Sequence, residues 1–214
     1  MRKRFDKQLE ELGKEMQEMG VMVEESIQKA IEALLRQDAE LAKTVMETDA
    51  LVNQKQKEIE NLCFTLLMQQ QPVASDLRTI SAALKMVTDM ERIGDHATDI
   101  SEMTVHLARE PYIKNLDHIR QMASETMWML IQSIEAYVEK DEKKANGVIL
   151  HDDIVDTLFA ETKNELIELI HKDKNNGEQA TDLLMVAKYF ERIGDHATNI
   201  AEWVIFSIDK RPRG

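Results

Sequence analysis

Glycine and proline are scarce, 7 and 3 among 214 residues. So few breakers in a chain this long predict long helices joined by short loops, and exclude a turn-rich architecture. Cysteine is almost missing: Cys63 stands alone, so no intramolecular disulfide can form. Its apolar helical surroundings predict a buried, reduced thiol. Excess positive charge is missing too. The formal net charge is −13, which argues against unaided binding to DNA or to anionic lipid. No apolar run approaches the ~18 residues of a membrane-spanning helix. Met1-Arg2-Lys3-Arg4 leads into charged helix rather than the apolar core of a signal peptide, so a cytoplasmic location is expected. There is no glycine-rich phosphate loop, and Ser101 and His106 show no arrangement of nucleophile and base.

What is present is helical periodicity and a repeat. Thirteen Met against five Phe suggest a soft, aliphatic bundle interior. Phe5, Leu9, Leu12, Met16, Met19, Val23, Ile27, Ala30 and Leu34 alternate steps of four and three, predicting a helix over about 4–36. Asp38 is placed to cap a second helix, which carries Leu41, Val45, Val52, Ile59, Leu62 and Leu66 to about residue 69. Gln70-Gln71-Pro72-Val73-Ala74-Ser75-Asp76 reads as a turn, with Ser75 or Asp76 capping a third helix that runs to about Glu110. Pro111 marks the boundary of a second half, 111–214, following a first half, 1–110. That second half repeats the plan. A fourth helix carries Leu116 to Tyr137, a fifth starts at Asp141, Asn175-Asn176-Gly177 makes a turn, and a sixth runs on. Lys210-Arg211-Pro212-Arg213 reads as a frayed end. The expected fold is all-α, with six long helices.

The chemistry concentrates in a stretch that occurs twice. Glu91-Arg92-Ile93-Gly94-Asp95-His96-Ala97-Thr98-Asp99-Ile100 returns as Glu191-Arg192-Ile193-Gly194-Asp195-His196-Ala197-Thr198-Asn199-Ile200. The two copies share their polar residues while the flanking residues diverge, the reverse of what packing alone requires. Leu77, Ile80, Leu84 and Val87 follow helical spacing, and the same register continues onto Glu91, Gly94, Asp95, Thr98 and Glu102. Glu91, Asp95, Asp99 and Glu102 fall within an arc of roughly 80°. Carboxylates turned inward repel one another and lose solvation unless a cation neutralises them, so bound divalent metal is the expected resolution. Gly94 and Gly194 each cost about 1 kcal/mol relative to Ala in a helix, which is tolerable where something must approach the backbone. His96 and His196 lie about 140° round from the glutamates and read as flank or core residues.

A second correspondence supports the first. Sliding by 103 residues pairs Asp38 with Asp141, Asp49 with Asp152 and Asn53 with Asp156. Each half thus offers one helix with an acid or amide one turn apart and one with Glu-x-x-x-Asp. Oxygen-only ligands favour Mg²⁺, Mn²⁺ or Fe over Cu, and shared carboxylates admit a multinuclear cluster.

The doubled motif, with Gln71-Pro72-Val73-Ala74-Ser75-Asp76-Leu77-Arg78 before its first copy, resembles the PhoU family of phosphate-uptake regulators along nearly the whole chain. The resemblance implies two three-helix bundles related by a pseudo-twofold, and divalent ions (Mg, Mn, Fe or Zn) at repeated acidic pairs. Carried over by position, those pairs are Asp49 with Asn53, Glu91 with Asp95, Asp152 with Asp156, and Glu191 with Asp195. Asp99 and Asn199 complete the set, and Asn53 and Asn199 stand where a carboxylate is expected, so the two sites would differ. The resemblance further implies a cytoplasmic regulator, often dimeric, that restrains phosphate uptake and phosphate-starvation signalling. Its partners would be the ATPase of a phosphate ABC transporter and a phosphate-sensing histidine kinase, through which it reaches the membrane. The net charge, the lack of a long apolar run and the missing motifs noted above argue against nucleic-acid binding, membrane insertion and catalysis. Two rivals are a metal-free helical scaffold and a ferritin-like di-iron enzyme. The latter needs two Glu-x-x-His elements, and the chain offers one, Glu168-Leu169-Ile170-His171.

Overall fold

A computed structural model of the chain describes residues 2–69 and 72–208. Six α-helices follow one another: α1 (Arg2–Arg36), α2 (Ala39–Gln69), α3 (Ala74–Leu107), α4 (Asp117–Glu139), α5 (Glu142–Lys172) and α6 (Gly177–Ile208). A single 3-10 turn, Lys174–Asn176, precedes α6, and no strand occurs among the described residues. Gln70, Gln71 and the basic run from Lys210 lie outside the described residues.

Local chemistry sets the helix ends. Gln37 takes a left-handed conformation (φ 54°) that turns the chain after α1. Asp38 then caps α2, its Oδ1 accepting from the backbone N–H groups of Glu40 and Leu41. Asp141 does the same for α5 through Lys143 and Lys144. At α3 the cap falls two residues before Ser75 and three before Asp76. Val73 occupies the cap position, and Asp76 reaches back from the first turn to accept its N–H at 3.1 Å. The third helix also stops at Leu107, short of Glu110, because the Gln37 amide collects the carbonyl groups of Leu107 (2.8 Å) and Glu110 (2.6 Å).

Helices α1–α3 form one three-helix bundle and α4–α6 a second, joined face to face through α3 against α6 and α1 against α4. The α1 seam behaves as its spacing predicts: Leu12, Met16, Met19, Val23, Ile27, Ala30 and Leu34 are all buried. Gly20 lets α4 press close, since a Cβ there would stand 2.5 Å from Ile134 Cδ1. Cys63 is buried, and burial pushes its thiol up to about 12.

The loop between the halves is pinned on both sides. Tyr112 donates to the Leu34 carbonyl at 2.5 Å. Gln179 accepts from Ile113 N and donates to the Pro111 carbonyl. Lys114 pairs with Glu165.

The register of α3 needs correction. Its buried residues include Met86, Val87, Met90, Ile93, Gly94, Ala97, Ile100, Ser101 and Thr104, whereas Leu77 is 41% exposed. The stripe through Leu77, Leu84, Glu91 and Asp95 is therefore one edge of the buried arc and not its centre. The cause is that α3 packs on α1, α2 and α6 together, so the middle of its buried face shifts toward Met90 and Ala97.

Candidate metal centres

The edge stripe on α3 faces α2. Thr98 Oγ1 lies 3.4 Å from Asp49 Oδ1 across that groove. Asn53 donates to Asp49 Oδ2 at 2.8 Å, while its own Oδ1 is buried with no partner. Burial raises the pKa of Asp49, and the neighbouring charge of Asp95 raises it further. Glu91 is raised in the same way, by burial, then by Asp95 against the opposing pull of Arg92, and then by Asp49 and Glu60. Asp49, Asn53, Glu91 and Asp95 thus share one groove. Among the described residues, Arg92 is a cation at hand, 2.8 Å from Asp95 and 3.6 Å from Glu91, with more than half its side chain exposed.

The second half builds the same groove between α5 and α6. The Asp152 carboxyl is pushed up to about 6, first by burial and then by Asp156, Asp195, Glu191 and Asp153. Asp195 is raised by burial and by Glu191, against Lys188. Gly194 is what lets the helices close here. A Cβ on it would stand 3.1 Å from Asp152 Oδ1, so the carboxylate occupies the space a side chain would fill. The corresponding space beside Gly94 holds the apolar Val52, with Cγ1 at 3.2 Å. The expectation that each glycine admits a neighbour is met in both halves, but only Gly194 admits an oxygen.

These acids line grooves at the rim of each bundle and do not enter its interior. Asp49, Glu91, Asp152 and Glu191 are half-buried, whereas Asp156 and Asp195 are exposed. The interior is filled instead by Val52, Val155, Ile93 and Ile193, all buried. Among the described residues, no three His, Cys, Asp or Glu side chains are drawn tightly enough to enclose an ion as they stand. The donor set still fits a hard divalent ion. It is all oxygen, it comes from two facing helices, and it includes an unpaired buried Asn53 oxygen and a carboxylate seated on Gly194.

Asp99 and Asn199 line a cleft of about 690 Å³ between the halves with Arg92, His96, Arg192 and His196, and Asp95 and Asp195 from the pairs also border it. Asp99 Oδ2 lies 3.0 Å from His96 Nδ1. Across the cleft, Asp89 Oδ1 lies 2.8 Å from His196 Nδ1 and accepts from Asn199 at 3.2 Å. The two imidazoles lie 5.7 Å apart between ring centres, and burial lowers the pKa of His96. The histidines flank the grooves, as their angle on the helix predicts. The charge of Asp99 still reaches Asp49.

Sequence reasoning missed Glu60, Asp89, Asp153 and Lys188. The first three had no counterpart to draw attention to them, because each is acidic in one half only. Lys188 had a signal of its own: it is a cation in a stretch otherwise read for acids. The Glu168 and His171 of the ferritin-like rival are both exposed near the end of α5, and Glu168 borders a pocket with Asp117, His118 and Glu165 that is separate from the two grooves above.

Comparison with known proteins adds an independent line. The PhoU domain matches residues 16–104 and again 119–204. A phosphate-specific transport system accessory protein PhoU homolog from Clostridium acetobutylicum is 42% identical over 208 residues, covering 97% of this chain and 95% of that protein. Its counterpart from Aquifex aeolicus is 38% identical, covering 87% and 84%. Among solved structures, PhoU from Pseudomonas aeruginosa superposes with a TM-score of 0.92 at 32% identity, covering 95% of this chain and 98% of that one. The phosphate transport system regulatory protein PhoU from Streptococcus pneumoniae gives 0.89 at 28%, covering 97% and 98%.

Proposed function

Because the chain belongs to the PhoU family, we propose that it is an accessory protein of a phosphate-specific transport system, acting as a metal-loaded regulatory adapter. Its role is to restrain phosphate uptake and phosphate-starvation signalling when phosphate is ample. Its partners are the transporter's ATPase and a phosphate-sensing histidine kinase, and it works as a homodimer on the cytoplasmic face. No helix among the described residues is long and apolar enough to cross a membrane, so attachment through partners is the consistent route. The halves 1–110 and 111–214 serve as two repeats, each carrying one site.

One observation carries the metal part of this reading. The same acidic groove is built twice, and both copies contain carboxyls held above their ordinary range by burial and by one another. Two copies of so costly an arrangement point to a ligand of opposite charge. Divalent ions such as Mg²⁺, Mn²⁺, Fe²⁺ or Zn²⁺ would supply that charge and tie each pair of helices together. Asp49, Asn53, Glu91 and Asp95 would hold one site, and Asp152, Asp156, Glu191 and Asp195 the other. Asp99 and Asn199 support them from the cleft.

The experiment is a melting titration of the full chain with Mn²⁺ after purification without chelator, beside elemental analysis. Saturable stabilisation of about 2.7 kcal/mol per site is expected at a hundredfold excess over the dissociation constant. Glu91→Gln with Asp95→Asn should remove roughly the first site's share. A pull-down of transporter ATPase from lysate, with and without chelator, tests the adapter role. Equal melting with and without Mn²⁺ would discard the metal reading and leave the family assignment standing.

A further inference from the structure

The two acidic grooves are not equivalent, and the difference centres on Lys188. Its ammonium pairs with Glu191 and opposes the upward shift of Asp195. It also lies 5.4 Å from the ring centre of Phe159, on the facing helix α5. An ammonium beside an aromatic face has a second favourable resting place besides a carboxylate.

The twin positions show that these parts come as a set. Sliding by 100 residues on the decapeptide register places Thr88 where Lys188 stands, and sliding by 103 places Gln56 where Phe159 stands. Thr88 turns its hydroxyl onto its own helix, donating to the Leu84 carbonyl. Gln56 donates to Glu60 one turn along α2. The first groove therefore lacks both the lysine and its aromatic rest. It also has Asn53 where the second has Asp156, and Ala50 where the second has Asp153. The first groove answers its acids with Arg92, carried on the α3 edge itself, whereas the second uses Lys188, whose ammonium has an aromatic ring of the facing helix beside it.

Resting on the metal reading above, we infer that Lys188 is a resident counter-cation of the α5–α6 site, competing with the divalent ion for Glu191 and yielding onto Phe159 when the ion binds. The exchange keeps the metal-free groove from carrying Asp152, Asp156, Glu191 and Asp195 without a balancing charge. It makes ion binding at this site a displacement, weaker than its four carboxylates alone would give. No such competitor stands at position 88 of the first groove. Lys188 is a positioning residue in this scheme and not a ligand.

The test uses the full chain carrying Glu91→Gln and Asp95→Asn, so that the α5–α6 site dominates Mn²⁺ binding. Mn²⁺ affinity is read by calorimetry, and melting is read separately in chelator. Lys188→Met, which keeps an apolar stem against Phe159, should bind Mn²⁺ up to about fivefold more tightly, the range expected of a partly exposed ion pair. The same variant should melt lower in chelator. Lys188→Arg should behave like its parent in both measurements. Opposite signs for affinity and metal-free stability distinguish competition from a merely structural lysine, whose loss would lower both. Unchanged or weaker Mn²⁺ binding in Lys188→Met, with the parent binding normally, overturns the role of Lys188 and leaves the site. Failure of both the parent and the unmodified chain to bind Mn²⁺ overturns this inference together with the metal reading.

Discussion

Gly194→Ala separates helix packing from ion binding in a single methyl group. In an open helix, Gly to Ala gains about 1 kcal/mol from backbone entropy and helix propensity. At position 194 the new Cβ would stand 3.1 Å from Asp152 Oδ1, 3.5 Å from Val155 Cγ1 and 3.8 Å from Met129 Sδ. Only the first of these is a crowded contact, and a carboxylate at the end of a side chain can rotate away. Forcing it off its rotamer costs about 0.5–1.5 kcal/mol. Gain and cost nearly cancel, so the metal-free variant should melt within a few degrees of the parent, at roughly 2–4 °C per kcal/mol for a chain of this size. Its response to ions should change far more, because the displaced oxygen belongs to the proposed α5–α6 site. Each occupied site should add roughly 5–10 °C at a hundredfold excess of Mn²⁺, and the variant should lose most of the α5–α6 site's share. Gly147→Ala is the matched control: nothing lies within 4 Å of its would-be Cβ. It should raise the melting temperature by roughly 2–4 °C and leave the ion response whole. Calorimetric scans with and without Mn²⁺ read all of these. A full ion response in Gly194→Ala would show that Asp152 does not need the space on this glycine to act, and the groove geometry would have to be redrawn.

Two further outcomes follow from the same geometry. The carboxyl of Asp152 is raised to about 6 from an ordinary 3.8, chiefly by burial, so between these values the folded chain holds a proton that the unfolded chain releases. Stability of the chelated protein should therefore fall as pH rises from about 4 to 6 through this group; Asp152→Asn should flatten that part of a urea-midpoint-against-pH curve, and an unchanged slope would count against the burial argument. Gln179→Ala strips the inter-repeat loop of two hydrogen bonds, to Ile113 and Pro111, and should cost about 1–2 kcal/mol in urea unfolding. Gln179→Glu, which keeps the acceptor for Ile113, should recover part of the loss; no difference between the two variants would mean the clasp contributes nothing.

Much of this protein was readable before any coordinate. Scarce Gly and Pro with steps of three and four announced six helices, because a core-facing stripe must recur every 3.6 residues whatever lies opposite. Asp38 could be assigned as a cap, and Asp141 as the start of the fifth helix, because capping is a transaction within three or four residues. The duplicated Glu-x-x-x-Asp and its partner acids at Asp49 and Asp152 could be matched because the repeat itself aligned them.

Tertiary packing alone decided the rest. Periodicity states where a side chain lies around its own helix, but not which neighbour fills that direction. Helices α3 and α6 each meet helices from both bundles, and that widened contact turned the Glu91–Asp95 edge toward α2 while sending Asp99 and Asn199 into the cleft between the halves. It also left Asp156 and Asp195 at the solvent rim, and brought Lys188 from one helix to Phe159 on another. Contacts of that kind join residues far apart in the chain, where no local pattern can record them.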